Sequence, residues 1–141
     1  MIDEKLTKNL QEQITENKND ITSLKNKTTL WTNTDPDAWF GAQTITLSDN
    51  MNNYKYLMIE CRNFPDRNTL YTAIIENYSK SYEIGNVFNW DGLIFVGSRR
   101  MDIPANNQLY FEGAYGYINF DPNRGYSHDD WLVPQRVIGI K

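Results

Sequence analysis

A chain of 141 residues with Lys+Arg 14 against Asp+Glu 18, for a formal net charge of -4, lacks the cationic surface that displaces counterions from nucleic acid or docks on an anionic membrane. Its 40% hydrophobic and 13% aromatic content is enough to fold, and beyond an N-terminal segment of helical character roughly 110 residues remain, enough for one core and not for two. Cys61 is the only cysteine, which excludes an intrachain disulfide and a thiolate metal cage within one chain.

Residues 3–29 contain neither Gly nor Pro. Placing Ile14, Ile21 and Thr28 at a, and Leu10, Asn17, Leu24 and Trp31 at d, yields a heptad seam of about three repeats, with Leu6 outside it at g. Asp20 at g and Lys25 at the following e are spaced to attract across a helix pair. Such a seam is too narrow to be one wall of a broad core, and a lone helix of this length is marginal in water. The segment is therefore expected to self-associate as a coiled-coil stalk through Leu10, Ile14, Asn17, Ile21 and Leu24. Ile at a with Leu at d favours a parallel dimer, and Asn17 at d sets register, so the heptads leave the number of chains open. The N-terminus MIDEKLTKNLQEQ has neither the positive start nor the apolar run of a signal peptide, and no segment approaches a membrane span. Synthesis in the cytoplasm without membrane insertion is the expectation.

Beyond the stalk, placed at residues 1–29, the turn signal Asp35-Pro36-Asp37 and Gly41 open a head placed at residues 30–141. There the apolar period changes to 2. Strands are expected at Gln43 to Leu47, Tyr54 to Cys61, Leu70 to Ile75, Tyr82 to Phe88, Leu93 to Val96, Arg99 to Ile103, Gln108 to Phe111, Tyr115 to Phe120 and Arg136 to Ile140. Turns rich in Asn, Asp, Gly or Pro separate them, among them Asn63-Phe64-Pro65-Asp66, Trp90-Asp91-Gly92 and Asp121-Pro122-Asn123-Arg124-Gly125. Short strands at this spacing, with no crossover helices, point to a sandwich or barrel, and the expectation is a mainly β head in the form of an antiparallel, jelly-roll-like β-sandwich.

Chemistry is harder to place. Ser127, His128 and Asp129 are adjacent, and adjacent residues do not converge as a hydrolytic triad. His128, Asp129, Asp130 and Asp121 lack calcium-loop spacing, so no metal and no cofactor are expected. Glu60, Glu76, Glu83 and Glu112 are strand-borne acids of the kind common on a wet sheet face, and no enzyme activity is expected of them. The aromatics carry more information. Trp39, Trp90, Trp131, Tyr78, Tyr82, Tyr115, Tyr117 and Tyr126 include several beside polar loops, where a ring and a neighbouring acid together suit a small-ligand site. Trp90 with Asp91, and Trp131 with Asp129 and Asp130, stand where the strand pattern breaks and are the first candidates for ligand contact.

The sequence also resembles phage and prophage tail-fibre or baseplate proteins of Gram-positive hosts, through Leu30-Trp31, Ala42-Gln43-Thr44-Ile45-Thr46-Leu47-Ser48-Asp49, Asn53-Tyr54-Lys55-Tyr56-Leu57-Met58-Ile59-Glu60 and Val137-Ile138-Gly139-Ile140-Lys141. The resemblance implies a virion component, a homotrimer with a helical stalk and a β-rich head, and binding of host cell-wall saccharide or attachment to other tail or baseplate proteins. It carries no catalytic signature.

Overall fold

The computed structural model describes residues 3–63, 70–76, 78 and 80–141, with the side chains of Ser23, Leu24, Trp90 and Pro122 left aside. Helix α1, Glu4–Lys25, has 22 residues. At about 1.5 Å per residue it extends for roughly 33 Å. Asp3 caps it, its carboxylate accepting from the Lys5 N–H at 3.1 Å. Every described side chain of α1 is exposed, and among the described residues its principal neighbour in the head is the strand that follows it.

That strand, β1 (Lys27–Thr32), corrects the reading of Thr28 and Trp31 as seam positions. The heptad pattern stops at Lys25 because the next residues pair with the C-terminal strand: Lys27 opposes Ile140, and the Lys141 N–H donates to the Asn26 carbonyl at 2.9 Å. Lys-Thr-Thr-Leu-Trp-Thr is β-branched and aromatic, so local propensity agrees with the long-range pairing. Trp31 is half-buried at the edge of the head core instead of continuing the stalk.

The remaining strands are β2 (Gln43–Thr46), β3 (Tyr56–Arg62), β4 (Leu70–Ile75), β5 (Tyr82–Trp90), β6 (Leu93–Ala105), β7 (Gln108–Phe111), β8 (Tyr115–Ile118), β9 (Asp121–Ser127) and β10 (Val133–Ile140). They form two sheets, one ordered β1-β10-β3-β4, the other β2-β7-β6-β8-β9 with β5 on the opposite edge of β6. Every pairing is antiparallel. This is a β-sandwich. Non-consecutive strands pair in β1-β10-β3, β2-β7 and β6-β8, while β3-β4, β5-β6, β6-β7 and β8-β9 join consecutive strands.

Two segments differ from expectation for stated reasons. The break expected at Gly97-Ser98 is absent: β6 runs unbroken from Leu93 to Ala105, and Gly97 lies opposite Gly116 on β8. A Cβ at Gly97 would stand 3.0 Å from the Trp131 ring and one at Gly116 only 2.0 Å, so this glycine pair makes a slot for an indole and not a turn. Residues 121–125, read as a turn, belong to β9. The β8–β9 reversal is Asn119-Phe120, both at positive φ (52° and 59°), and the β5–β6 reversal is Asp91-Gly92, also both positive (52° and 75°). Two central residues with positive φ are what a type I′ hairpin needs. Residues 64–66 of the expected Asn63–Asp66 turn lie outside the described residues.

The main core fills the space between the sheets, with Leu57, Ile59, Cys61, Met101, Leu109, Phe111, Val133 and Val137 inaccessible to solvent. A second cluster, Phe95, Ala114 and Trp131, packs with Phe88, Leu93, Ile118 and Tyr126. Because Lys27, Ile140 and Tyr56 pair at the stalk end, β1 carries the chain away from α1, and the segment from Asn33 to Ala42 lies at the far end of the head.

Candidate functional site

The far end is organised by two buried arginines. Arg62 on β3 is 1% exposed; its Nε donates to the Pro36 carbonyl at 2.5 Å, its Nη2 to the Ala38 carbonyl at 2.9 Å, and its Nη1 lies 2.7 Å from Asp130 Oδ1. Arg99 on β6 is fully buried and donates to five carbonyls: Leu132, Phe40, Glu112, Asp129 and Trp131. Its guanidinium also sits 5.6 Å from the centre of the Phe40 ring. Burial pulls the Arg99 pKa down to about 10, so the guanidinium stays protonated at neutral pH. Both arginines clamp residues 36–40 to residues 129–132. The clamp holds Leu132 at φ 45°, a backbone region uncommon for a branched side chain; its N–H donates to Asn63 Oδ1 at 3.1 Å while its carbonyl accepts from Arg99.

This arrangement corrects the choice of Trp131 and Asp130 as ligand contacts. Trp131 is 1% exposed, laid in the slot of Gly97 and Gly116 and edge-on to Phe88 and Phe95 at 5.9 and 5.8 Å. Asp130 is 2% exposed and engaged by Arg62. A Trp in a turn is commonly more accessible than one in a strand, but here the turn folds back over the sandwich end, and the indole becomes its plug. Asp129 is half-buried and its carbonyl accepts from the Phe40 N–H at 3.0 Å. Asp91 is exposed at the β5–β6 reversal, and the Trp90 side chain lies outside the described residues. Among the candidates whose side chains are described, Asp130 and Trp131 are buried in the sandwich end, Asp129 is half-buried and Asp91 is exposed.

An aromatic surface appears instead at Trp39, which is 68% exposed. Its ring lies 5.4 Å from that of His128, which stacks on Trp131 at 5.3 Å and 17°. Trp39 thus stands at the outer end of an aromatic column whose inner end is the plug. Beside it opens a cleft of about 390 Å³ between the edge strands β1 and β2, lined by Trp31, Thr32, Asn33, Thr34, Asp35, Ala38, Trp39, Phe40, Gln43, Thr44 and Ile45. That size falls within the usual small-ligand range of about 300–1,000 Å³. Phe40 anchors its floor, edge-on to Trp31 at 6.1 Å and to Phe111 at 5.9 Å. Asn33 fixes the rim, its side chain donating to the Pro134 carbonyl and accepting from the Asp35 N–H, both at 2.9 Å. The Asp35 carboxylate, Thr32, Thr34, Gln43 and Thr44 remain exposed. A flat ring beside hydroxyls, an amide and one carboxylate can hold a ligand that has an apolar face and directional polar groups.

The sequence signal for this site was Asp35-Pro36-Asp37-Ala38-Trp39, a Trp beside acids at a break in the strand pattern, as at Trp90 and Trp131. Only the fold distinguishes Trp39 from Trp131. Tyr115 and Tyr117 are turned outward together, ring centres 5.3 Å apart, with Tyr115 44% exposed. Among the described residues, no cluster of three or more His, Cys, Asp or Glu could hold a metal ion. Compared with known proteins, the chain matches no family model, no curated protein and no solved structure.

Proposed function

We propose that this protein is a non-enzymatic, stalked component of a phage tail or baseplate in which three helices associate and three heads bind saccharide on the surface of a Gram-positive host. The observation that carries the reading is Trp39, a largely exposed indole at the mouth of a polar cleft, at the end of the head remote from the stalk. A receptor-facing surface belongs at that end. The stalk supports the assembly half of the reading: Leu10, Ile14 and Ile21 are each 50–53% exposed along α1, an apolar seam that other copies of the helix would cover, with Leu6 exposed beside it. Single sites of this kind bind weakly, since one hydrogen bond contributes a net of roughly 0.5–1.5 kcal/mol, and presentation of several heads on one stalk raises retention through effective concentration.

A purely structural role in tail or baseplate assembly is the second reading. It is favoured by the burial of Trp131 and Asp130 and by Val87, Ile94 and Phe120, exposed by 58, 39 and 64%. Retention on purified Gram-positive cell wall, measured for the parent and for the double variant Ile14→Asn/Ile21→Asn, separates the two. The parent is expected to sediment as a trimer and to be retained, and the double variant to be monomeric and retained far less. A trimeric parent that no wall preparation retains would establish the structural reading.

A further inference from the structure

We infer that the Trp39 cleft takes an electrically neutral pyranose, plain or N-acetylated, and discriminates against phosphate-bearing wall polymers. This rests on the saccharide reading above and adds to it the place and the chemical class of the ligand.

Charge is the first argument. Among the described residues lining the cleft, Asp35 is the only ionisable one, and none is Lys, Arg or His. Binding a polyol-phosphate chain calls for cationic donors that neutralise phosphates, most effectively the planar fork of arginine. Arginines do lie beneath the floor, but they are committed elsewhere. Arg62 is engaged by the Pro36 and Ala38 carbonyls and by Asp130, and Arg99 by five carbonyls. With exposures of 1% and 0%, neither guanidinium reaches the cleft surface. A phosphate in the cleft would therefore meet the Asp35 carboxylate without a compensating cation among the described lining residues.

Shape and polarity supply the second argument. The C–H face of a pyranose can lie on the exposed Trp39 indole, while its hydroxyls donate to Asp35 and exchange hydrogen bonds with Gln43, Thr44 and Thr34. An N-acetyl group adds an amide that the Gln43 amide can meet. The ring that supports Trp39 from behind is His128, so the platform is held by packing and loses little freedom on binding.

The test is equilibrium binding of the full chain to immobilised neutral oligosaccharides (glucose, galactose, rhamnose, N-acetylglucosamine and N-acetylgalactosamine) and to glycerol-phosphate polymer, at low and at physiological salt. Trp39→Ala, Trp39→Phe and Asp35→Asn are measured beside the parent. The parent is expected to bind at least one neutral sugar with little salt dependence and the phosphate polymer at least tenfold more weakly. Trp39→Ala should lose at least tenfold in affinity, Trp39→Phe should restore much of it, and Asp35→Asn should lose about two- to tenfold, the range of one net hydrogen bond. Tight, salt-sensitive binding of the phosphate polymer overturns the neutral-ligand inference and leaves the saccharide reading standing. Neutral-sugar binding that Trp39→Ala does not change overturns the location alone. A parent that binds neither class overturns both the inference and the reading on which it rests. Because Trp39 is largely exposed, its variants should melt with the parent, and a matched melting curve separates lost contact from lost fold.

Discussion

Stalk and head put their apolar residues to opposite use. In α1, Leu6, Leu10, Ile14 and Ile21 are about half exposed, and none of the described head residues folds over them; in the head, Leu57, Ile59, Met101, Leu109, Phe111, Val133 and Val137 are shut away completely. A narrow stripe on one helix cannot close a core by itself, whereas two sheets facing each other can. The head is thus expected to owe its stability to its own chain, and the stalk to other copies. Polar groups divide in the same way. The head buries two arginines under dense hydrogen bonding, whereas each charge on α1 stays in water.

The sharpest break in this comparison should come from Arg99→Met. It removes the donor from five carbonyls at once, and unsatisfied buried acceptors cost about 1–3 kcal/mol each, so a loss of at least about 3 kcal/mol in unfolding free energy is expected. Denaturant titration measures it, and Arg99→Lys, which keeps the charge but not the fork, should recover only part. Trp131→Ala should follow at about 3–5 kcal/mol, the range for deleting a large buried aromatic. A variant of Trp131 with parental stability would return this residue to the list of surface contacts.

The converse break is Ile14→Asn/Ile21→Asn. Sedimentation should show loss of the oligomer, while the melting of the head, followed by near-ultraviolet dichroism, stays within a few degrees of a dilute parent sample. If the head melts with the stalk, the division drawn here fails.

A smaller effect concerns Cys61. Burial pushes its thiol from 9.0 up to about 12, so the folded state keeps the proton that the unfolded chain releases from about pH 9 upward. A raised folded pKa contributes stability that is complete below the unfolded value and is lost as pH rises toward 12. Stability should therefore decline above pH 9, less so in Cys61→Ala, and a thiol reagent at neutral pH should label the parent only on unfolding.

Strand and helix periods are local properties, and they were legible. The 3.5-residue stripe from Leu10 to Ile21 is a helix, and the alternation at Gln43–Thr46, Leu70–Ile75 and Gln108–Phe111 marks strands. The Asp-Gly pair at 91–92 is the β5–β6 reversal because those two residues tolerate positive φ. Pairing between distant strands was not legible. Lys27–Thr32 fits a heptad as well as it fits a strand, and only its register with β10 decides between them.

The candidate site divides along the same line. Trp39, Trp90 and Trp131 share one local signature, a ring beside acids where the pattern breaks. Whether such a ring faces water depends on what the rest of the chain brings to it. For Trp131 it brings a slot formed by glycines on two other strands and carbonyls drawn inward by Arg99; for Trp39 it brings one supporting imidazole and an open cleft. The sequence by itself determined the N-terminal helix with its bare seam, most of the strands and their antiparallel character, because these depend on neighbours within a few residues, whereas β1, β9 and the unbroken course of β6 were settled only by strand pairing. Burial of a given side chain was decided by tertiary structure alone, since it depends on contacts between residues tens of positions apart.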